Sequence, residues 1–186
     1  MTLALVRPAA EHLPSYAAAL RRGWSPDNTR PVADEELARI AADPVSFLAA
    51  FDHRDPAGAT ITLPDGSTVP RLPGFRRWIW DGEMAGSIGL RWQAGSDDLP
   101  PHVLGHVGYA VVPWKRRLGY ATRALALLLP EARAVGLGRI EITTETENRA
   151  SRRVIEANGG ILVERFEKPS AYGGGTSLRY QIALKP

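Results

Sequence analysis

Between His102 and Thr144 the chain reads as an apolar strand closed by Pro113, a glycine-bearing basic loop, a long amphipathic helix stopped by Gly136 and Gly138, and a second strand over Arg139 to Thr144. Strand, helix, strand at this length is a crossover unit, which sets its two strands parallel with the helix across one face. Other strand candidates follow each other through short turns and are expected to pair antiparallel. The predicted fold class is therefore α/β with a mixed, mostly antiparallel sheet of about seven strands, one parallel pair, and flanking helices.

The remaining elements fit around that unit. Leu3 to Arg7 alternates and ends at Pro8, a first strand. Ala9 to Arg22 and Val32 to Ala42 carry apolar residues at helical spacing, and Pro44 to Phe51 adds a third helical piece. Pro64-Asp65-Gly66 marks a turn between the helices and the strands. Phe75 to Trp80 and Met84 to Trp92, joined through Asp81-Gly82, read as a hairpin. Leu118 to Val135 is the crossover helix; Ala121, Ala124, Leu125, Leu128 and Ala132 share one face, and Pro130 should kink it. Asn148 to Ala157 is a helix ended by Asn158-Gly159-Gly160, and Ile161 to Glu167 and Thr176 to Leu184 close the chain as strands. One domain over 1–186 suits the length.

The stretch WKRRLGYATRA, Trp114 to Ala124, sets four bases and no acid at the start of the crossover helix. A helix N-terminus already carries about half a positive charge, so bases there run against the dipole. Lys115, Arg116, Arg117 and Arg123 point to an anion supplied from outside. Gly119 and Ala121 are small enough to let a phosphate approach the unsatisfied NH groups of the first turn. Against this stands an arginine-covered helix start that simply faces solvent. Neither a P-loop nor a dinucleotide glycine fingerprint is present.

Charge agrees with a local anion site. Residues 106–155 hold nine bases and four acids, +5, so the rest of the chain is −2 of the total +3. That favours a compact anionic ligand over extended nucleic-acid binding, for which no motif is found. There is no cysteine, so disulfides and thiolate metal sites are excluded, and no metal is expected. No apolar stretch approaches the roughly 20 residues of a membrane span, and the N-terminus meets Arg7 and Pro8 too early for a secretory signal. A cytoplasmic protein is expected, without membrane or nucleic-acid partners, as a monomer or homodimer.

The segments GHVGYAVVPWKRRLGYAT and GLGRIEITTETENRASRRVIEANGG together resemble the acetyl-CoA-binding core of the GNAT superfamily of N-acetyltransferases. The family's loop pattern falls on Arg116, Gly119 and Ala121, and its helix-start asparagine on Asn148. Close likeness covers about 106 to 160. It implies that the strand before the loop splays from its parallel neighbour, and that pantetheine lies in the gap against Val111 and Val112. The pyrophosphate would rest on the NH groups of Arg116, Arg117, Leu118, Gly119, Tyr120, Ala121 and Thr122. A main-chain NH near Val112 would steady the oxyanion formed when an amine attacks the thioester.

Many members carry a tyrosine seven residues after the asparagine as the acid for the leaving thiolate; here that position is Ile155. The pattern NRASRRVIEANGG looks instead like the branch containing ribosomal-protein alanine acetyltransferases, which implies Ser151 as the acid and as a cofactor contact. Plainer roles exist for each residue: Asn148 as an N-cap, Ser151 as a small residue in the first turn, Arg152 and Arg153 as solvated charges, Tyr109 and Ile155 as core. Glu145, His106 and Glu83 are the available general bases, with no choice among them. The implied activity is acetyl transfer from acetyl-CoA to a small-molecule or peptide amine. The substituted tyrosine position also fits a coenzyme A binding module without catalysis. Trp24, Trp78, Trp80 and Trp92 fit either an acceptor pocket or core.

Overall fold

In the computed structural model, described for residues 2–28, 30–56, 58–63 and 65–184, an antiparallel sheet forms the centre. Its strands run in the order β1 (Ala4–Val6), β5 (Gly74–Trp80), β6 (Met84–Arg91), β7 (Val107–Val111), with β2 (Asp52–His53) also paired to β5. A second sheet has the order β8 (Arg139–Glu145), β10 (Thr176–Ala183), β9 (Ile161–Glu167). A small hairpin, β3 (Thr60–Thr62) with β4 (Thr68–Pro70), stands apart. The helices are α1 (Leu13–Arg21), α2 (Ala33–Ala42), α3 (Pro44–Ala49), α4 (Tyr120–Ala134) and α5 (Arg149–Ala157).

Two cores lie on opposite faces of the central sheet. On one face Ile79, Ile88, Leu90 and Val107 pack under Ala124, Leu125, Leu128 and Ala132 of α4, continuous with Ile140, Ile142, Ile155 and Tyr180. The helix face expected from the sequence is the one buried, apart from half-buried Ala121, and α4 runs through Pro130. On the other face Tyr16, Leu20 and Trp24 meet Phe47, Phe51, Trp78, Ala110 and Val112. Tyr16 stacks on Trp78 with ring centroids 4.4 Å apart, and Trp24 and Trp78 are both buried core.

Several boundaries differ from the sequence expectation. Helix α1 begins at Leu13 because Pro14 suits the first helical turn, whereas Ala9 to His12 forms a turn. Helix α4 begins at Tyr120 because Gly119 adopts φ 78°, outside the helical region. The Asp65-Gly66 turn closes hairpin β3–β4 rather than a bare connection; Pro64 lies outside the described residues. Ten strands in three sheets replace the expected seven in one.

The expected splayed parallel pair, β7 and β8, is joined by hydrogen bonds at one place only among the described residues. Strands β7 and β8 form no ladder, and every ladder among the described residues is antiparallel. They meet just ahead of β7, where the His106 N–H donates to Glu141 O at 2.8 Å. The Glu141 N–H is taken at 2.9 Å by His106 Nδ1 instead of a main-chain carbonyl. A side chain thus takes the Glu141 N–H that a parallel ladder would give to a carbonyl, and β7 is the five residues paired with β6.

Candidate active site

The edge of β7 that faces the gap carries main-chain groups in a known phase. Register pairs Gly86 with Val111 and Ile88 with Tyr109, while Val112 N–H donates to Ala85 O at 3.0 Å and Arg91 N–H to His106 O at 2.9 Å. In an antiparallel ladder the bonded pairs alternate, so Tyr109 and Val111 turn their NH and C=O groups away from β6. The expectation that Val112 offers its NH to an oxyanion is therefore corrected: that NH is held by β6, and Val112 is fully buried. The outward donor is Val111. Gly86 permits the close approach of β6 here, since a Cβ on it would sit 2.4 Å from Ala110 O.

Two side chains already take carbonyls on this edge. Asn28 Nδ2 donates to Tyr109 O at 2.9 Å, and Arg116 Nε to Val111 O at 3.2 Å. The loop before α1's partner helix thus closes over the edge, and Arg116 folds back along it.

Past Val112 a single 3₁₀ turn, Pro113–Lys115, leads into the basic loop. Arg116 is extended, and Arg117 and Gly119 hold φ 64° and 78°, so the loop bends sharply into the first turn of α4. Helix α4 has no side-chain cap at its N-terminus and no acid in its first turn. Among the described residues, the NH groups of 117–122 have no partner within the chain, while Arg116 N–H makes a long bond of 3.4 Å to Pro113 O. Leu118 is exposed beside them. This concavity of donors, edged by Arg116 and Arg117, fits a pyrophosphate.

The loop is braced from below by contacts that the sequence did not reveal. Buried Lys115 reaches the β5–β6 turn, with Nζ 2.6 Å from Asp81 Oδ1 and 2.8 Å from Glu83 Oε1, and Tyr120 donates its hydroxyl to Asp81. Burial works to raise the Asp81 pKa, but hydrogen bonds from Lys115 and Tyr120 outweigh it and hold the carboxyl below its ordinary value. Lys115 is thereby removed from the cradle: it neutralises an internal carboxylate. No motif connects positions 81 and 115, so only the fold brings them together. From α5, Asn158 Nδ2 donates to Thr122 O at 3.1 Å and fixes the first turn of α4.

Helix α5 brings Asn148 and Ser151 to the gap. Asn148 is the N-cap, its Oδ1 accepting from Ser151 N–H at 3.0 Å. Half-buried Ser151 has its Oγ 2.7 Å from the Tyr109 hydroxyl. Burial raises the Tyr109 pKa, against the lowering effect of the bond to Ser151. Tyr109 is thus more than a core residue, since its hydroxyl links β7 to α5. Ile155 is core, fully buried. Arg152 donates to Tyr180 Oη and Thr146 O, both at 3.3 Å, whereas Arg153 is exposed.

The three candidate bases are each engaged elsewhere. Glu83 belongs to the Lys115 brace. Glu145, exposed, pairs with Lys168 Nζ at 3.2 Å. His106 is fully buried, and burial pushes its pKa down to about 4. No group of three or more metal-ligating side chains occurs among the described residues, and no helix there is long and apolar enough to cross a membrane.

The family model of the acetyltransferase (GNAT) domain matches residues 3–161. No curated protein matches the chain significantly. Among solved structures, the microcin C7 self-immunity acetyltransferase MccE in complex with acetyl-CoA and AMP is similar at TM-score 0.62 and 13% identity, covering 97% of this chain and 92% of that one. The Salmonella typhimurium acetyltransferase that modifies the N-terminal serine of ribosomal protein L7/L12 is similar at TM-score 0.60 and 16% identity, covering 100% and 96%. RimL, the ribosomal L7/L12 alpha-N-protein acetyltransferase, in complex with coenzyme A, gives TM-score 0.61 at 15% identity, covering 98% and 94%. These likenesses share the fold.

Proposed function

The chain belongs to the GNAT acetyltransferase family, and we propose that it moves an acetyl group from acetyl-CoA to a primary amine by direct attack in a ternary complex. The observation that carries this reading is the pairing of two features at one end of β7: an unpaired main-chain edge at Val111 and an uncapped helix N-terminus at Gly119. A thioester lying along the first and a pyrophosphate resting on the second are two parts of one cofactor, joined by its pantetheine arm.

Acetyl-CoA supplies the activated acyl group and a thiol leaving group. The chain's part is positioning and electrostatics. The NH groups of 117–122 hold the pyrophosphate, with Arg116 and Arg117 adding charge-assisted contacts. Arg116 leaves Val111 O when the ligand enters. The Val111 N–H faces the carbonyl oxygen on which charge develops, a preorganised donor in a partly dry gap.

Ser151 Oγ–H, accepting from Tyr109 O–H, hydrogen-bonds the departing sulfur and hands over its proton, and the proton that the amine releases to solvent restores the Ser151–Tyr109 pair. Because a thiol has a pKa near 8.5, this assistance matters less than for a poorer leaving group. With Glu83, Glu145 and His106 all engaged, the attacking amine loses its proton to solvent rather than to a buried base. The reading places the reaction in the cytoplasm, where acetyl-CoA is available.

The experiment is acetylation of an amine panel by the full chain with acetyl-CoA, followed by thiol release and mass spectrometry. Acetylated product from one class of amine supports the enzyme. Tight coenzyme A binding with no turnover on any amine supports the binding module instead.

A further inference from the structure

On the face of the central sheet that carries Ala110 and Val112, α1 and α3 pack over Trp78 and Met84. Toward the other end the register runs Arg76, Gly89, Gly108 across β5, β6 and β7, followed by Arg91 on the same face of β6. A Cβ on Gly89 would stand 3.8 Å from Arg76 Nε, and one on Gly108 would stand 3.6 Å from Arg91 Nη2. Two guanidinium groups therefore lie over bare backbone. The loop carrying Asn28 forms a wall, since its side chain bonds Tyr109 O.

These arginines differ from their neighbour. Arg77 points to the opposite face and is buried there with its own carboxylates, Glu131 at 2.7 Å and Asp52 at 3.7 Å. Arg76 and Arg91 have no ion pair among the described residues. Arg91 is exposed to solvent, yet surrounding protein lowers its pKa by burial, and Arg76 adds to that while Asp27 opposes it. Neither arginine has a carboxylate in direct contact among the described residues: Asp27 acts on Arg91 and Glu36 on Arg76 only at longer range, so both guanidinium groups keep donors for an arriving anion.

Resting on the acetyl-transfer reading above, we propose that Arg91 and Arg76 form the acceptor subsite and that the acceptor is an amine bearing a carboxylate or phosphate. Three strand residues separate Gly108 from Val111, a distance of about 10 Å. Allowing for the contact between guanidinium and anion, the acceptor's negative group stands about 7–10 Å from its nucleophilic nitrogen. This is longer than the span within one α-amino acid. It suits an ω-amino acid, a short peptide or an amine linked to a phosphate, and it disfavours polycationic amines.

The test measures binding, so that it does not depend on turnover. The full chain, saturated with coenzyme A, is titrated calorimetrically with 6-aminohexanoate, hexylamine and 1,6-diaminohexane. We expect 6-aminohexanoate to bind about tenfold more tightly than the other two. Arg91→Gln should remove the preference and Arg91→Glu should turn it toward the diamine. The rise in Tm on adding coenzyme A, unchanged in both variants, shows that they fold. Equal binding of 6-aminohexanoate and hexylamine by the wild type overturns the proposal, as does a preference that survives both Arg91→Gln and Arg76→Gln. Thiol release with the same compounds separates the two levels. Anion preference without transfer counts against the enzyme and retains the subsite; transfer without preference does the reverse.

Discussion

The hydroxyl of Tyr109 stands 2.7 Å from Ser151 Oγ, joining the splayed edge of β7 to the first turn of α5. On the proposed mechanism this pair is a short proton relay, with Ser151 as its outer member. Ser151→Ala should lower kcat by about 10- to 100-fold, toward the low end of general-acid effects, while acetyl-CoA affinity changes little. Tyr109→Phe should produce a smaller loss, about threefold to tenfold on the same grounds. Steady-state kinetics with any accepted amine checks both. An unchanged kcat in Ser151→Ala assigns Asn148 and Ser151 to capping alone.

The brace under the cofactor loop predicts an effect on binding without contact. Asp81→Asn leaves buried Lys115 with Glu83 as its only recorded carboxylate partner and weakens the bond to Tyr120. Loss of a partner for a buried charged group costs about 1–3 kcal/mol. Tm should fall, and the affinity for acetyl-CoA should weaken by about fivefold to tenfold. Calorimetry showing wild-type affinity for Asp81→Asn contradicts the brace.

What the sequence disclosed and what it hid follow from the range of each signal. The loop geometry is legible because its parts are adjacent: Arg116, Gly119 and Ala121 lie close together in sequence, and the left-handed backbone at Gly119 is a local need. The α4 face was legible from its helical period. The phase of β7 was hidden. Whether Val111 or Val112 offers its NH depends on the register with Gly86, which no residue in β7 reports. The early stop of the β7–β8 pairing was hidden as well, since it needs His106 Nδ1 at the Glu141 N–H across 35 residues. Pairings such as Asp81 with Lys115 and Tyr109 with Ser151 are equally long-range, and residue type alone names no partner for them.

His106 predicts a pH dependence of stability. Its folded pKa is about 4, below the ordinary value of 6.5, so the unfolded chain takes up the proton first as pH falls. Its contribution is complete above pH 6.5 and is lost as pH drops toward 4. The full loss is on the order of 3 kcal/mol. Denaturant midpoints between pH 7.5 and 5 should decline in the wild type and flatten in His106→Gln. Equal slopes in the two proteins contradict the prediction.

The central claim is that the uncapped start of α4 and the edge of β7 together hold acetyl-CoA. Gly119 has open space around it and φ 78°, so Gly119→Glu meets no neighbour; it costs local backbone strain and sets a negative charge inside the proposed phosphate cradle. The direct measurement is calorimetric binding of acetyl-CoA to the wild type and to this variant. The account predicts saturable binding at micromolar concentration by the wild type, and a loss of about 100-fold or more in Gly119→Glu. No binding by the wild type at millimolar acetyl-CoA, or equal binding by both proteins, would contradict it.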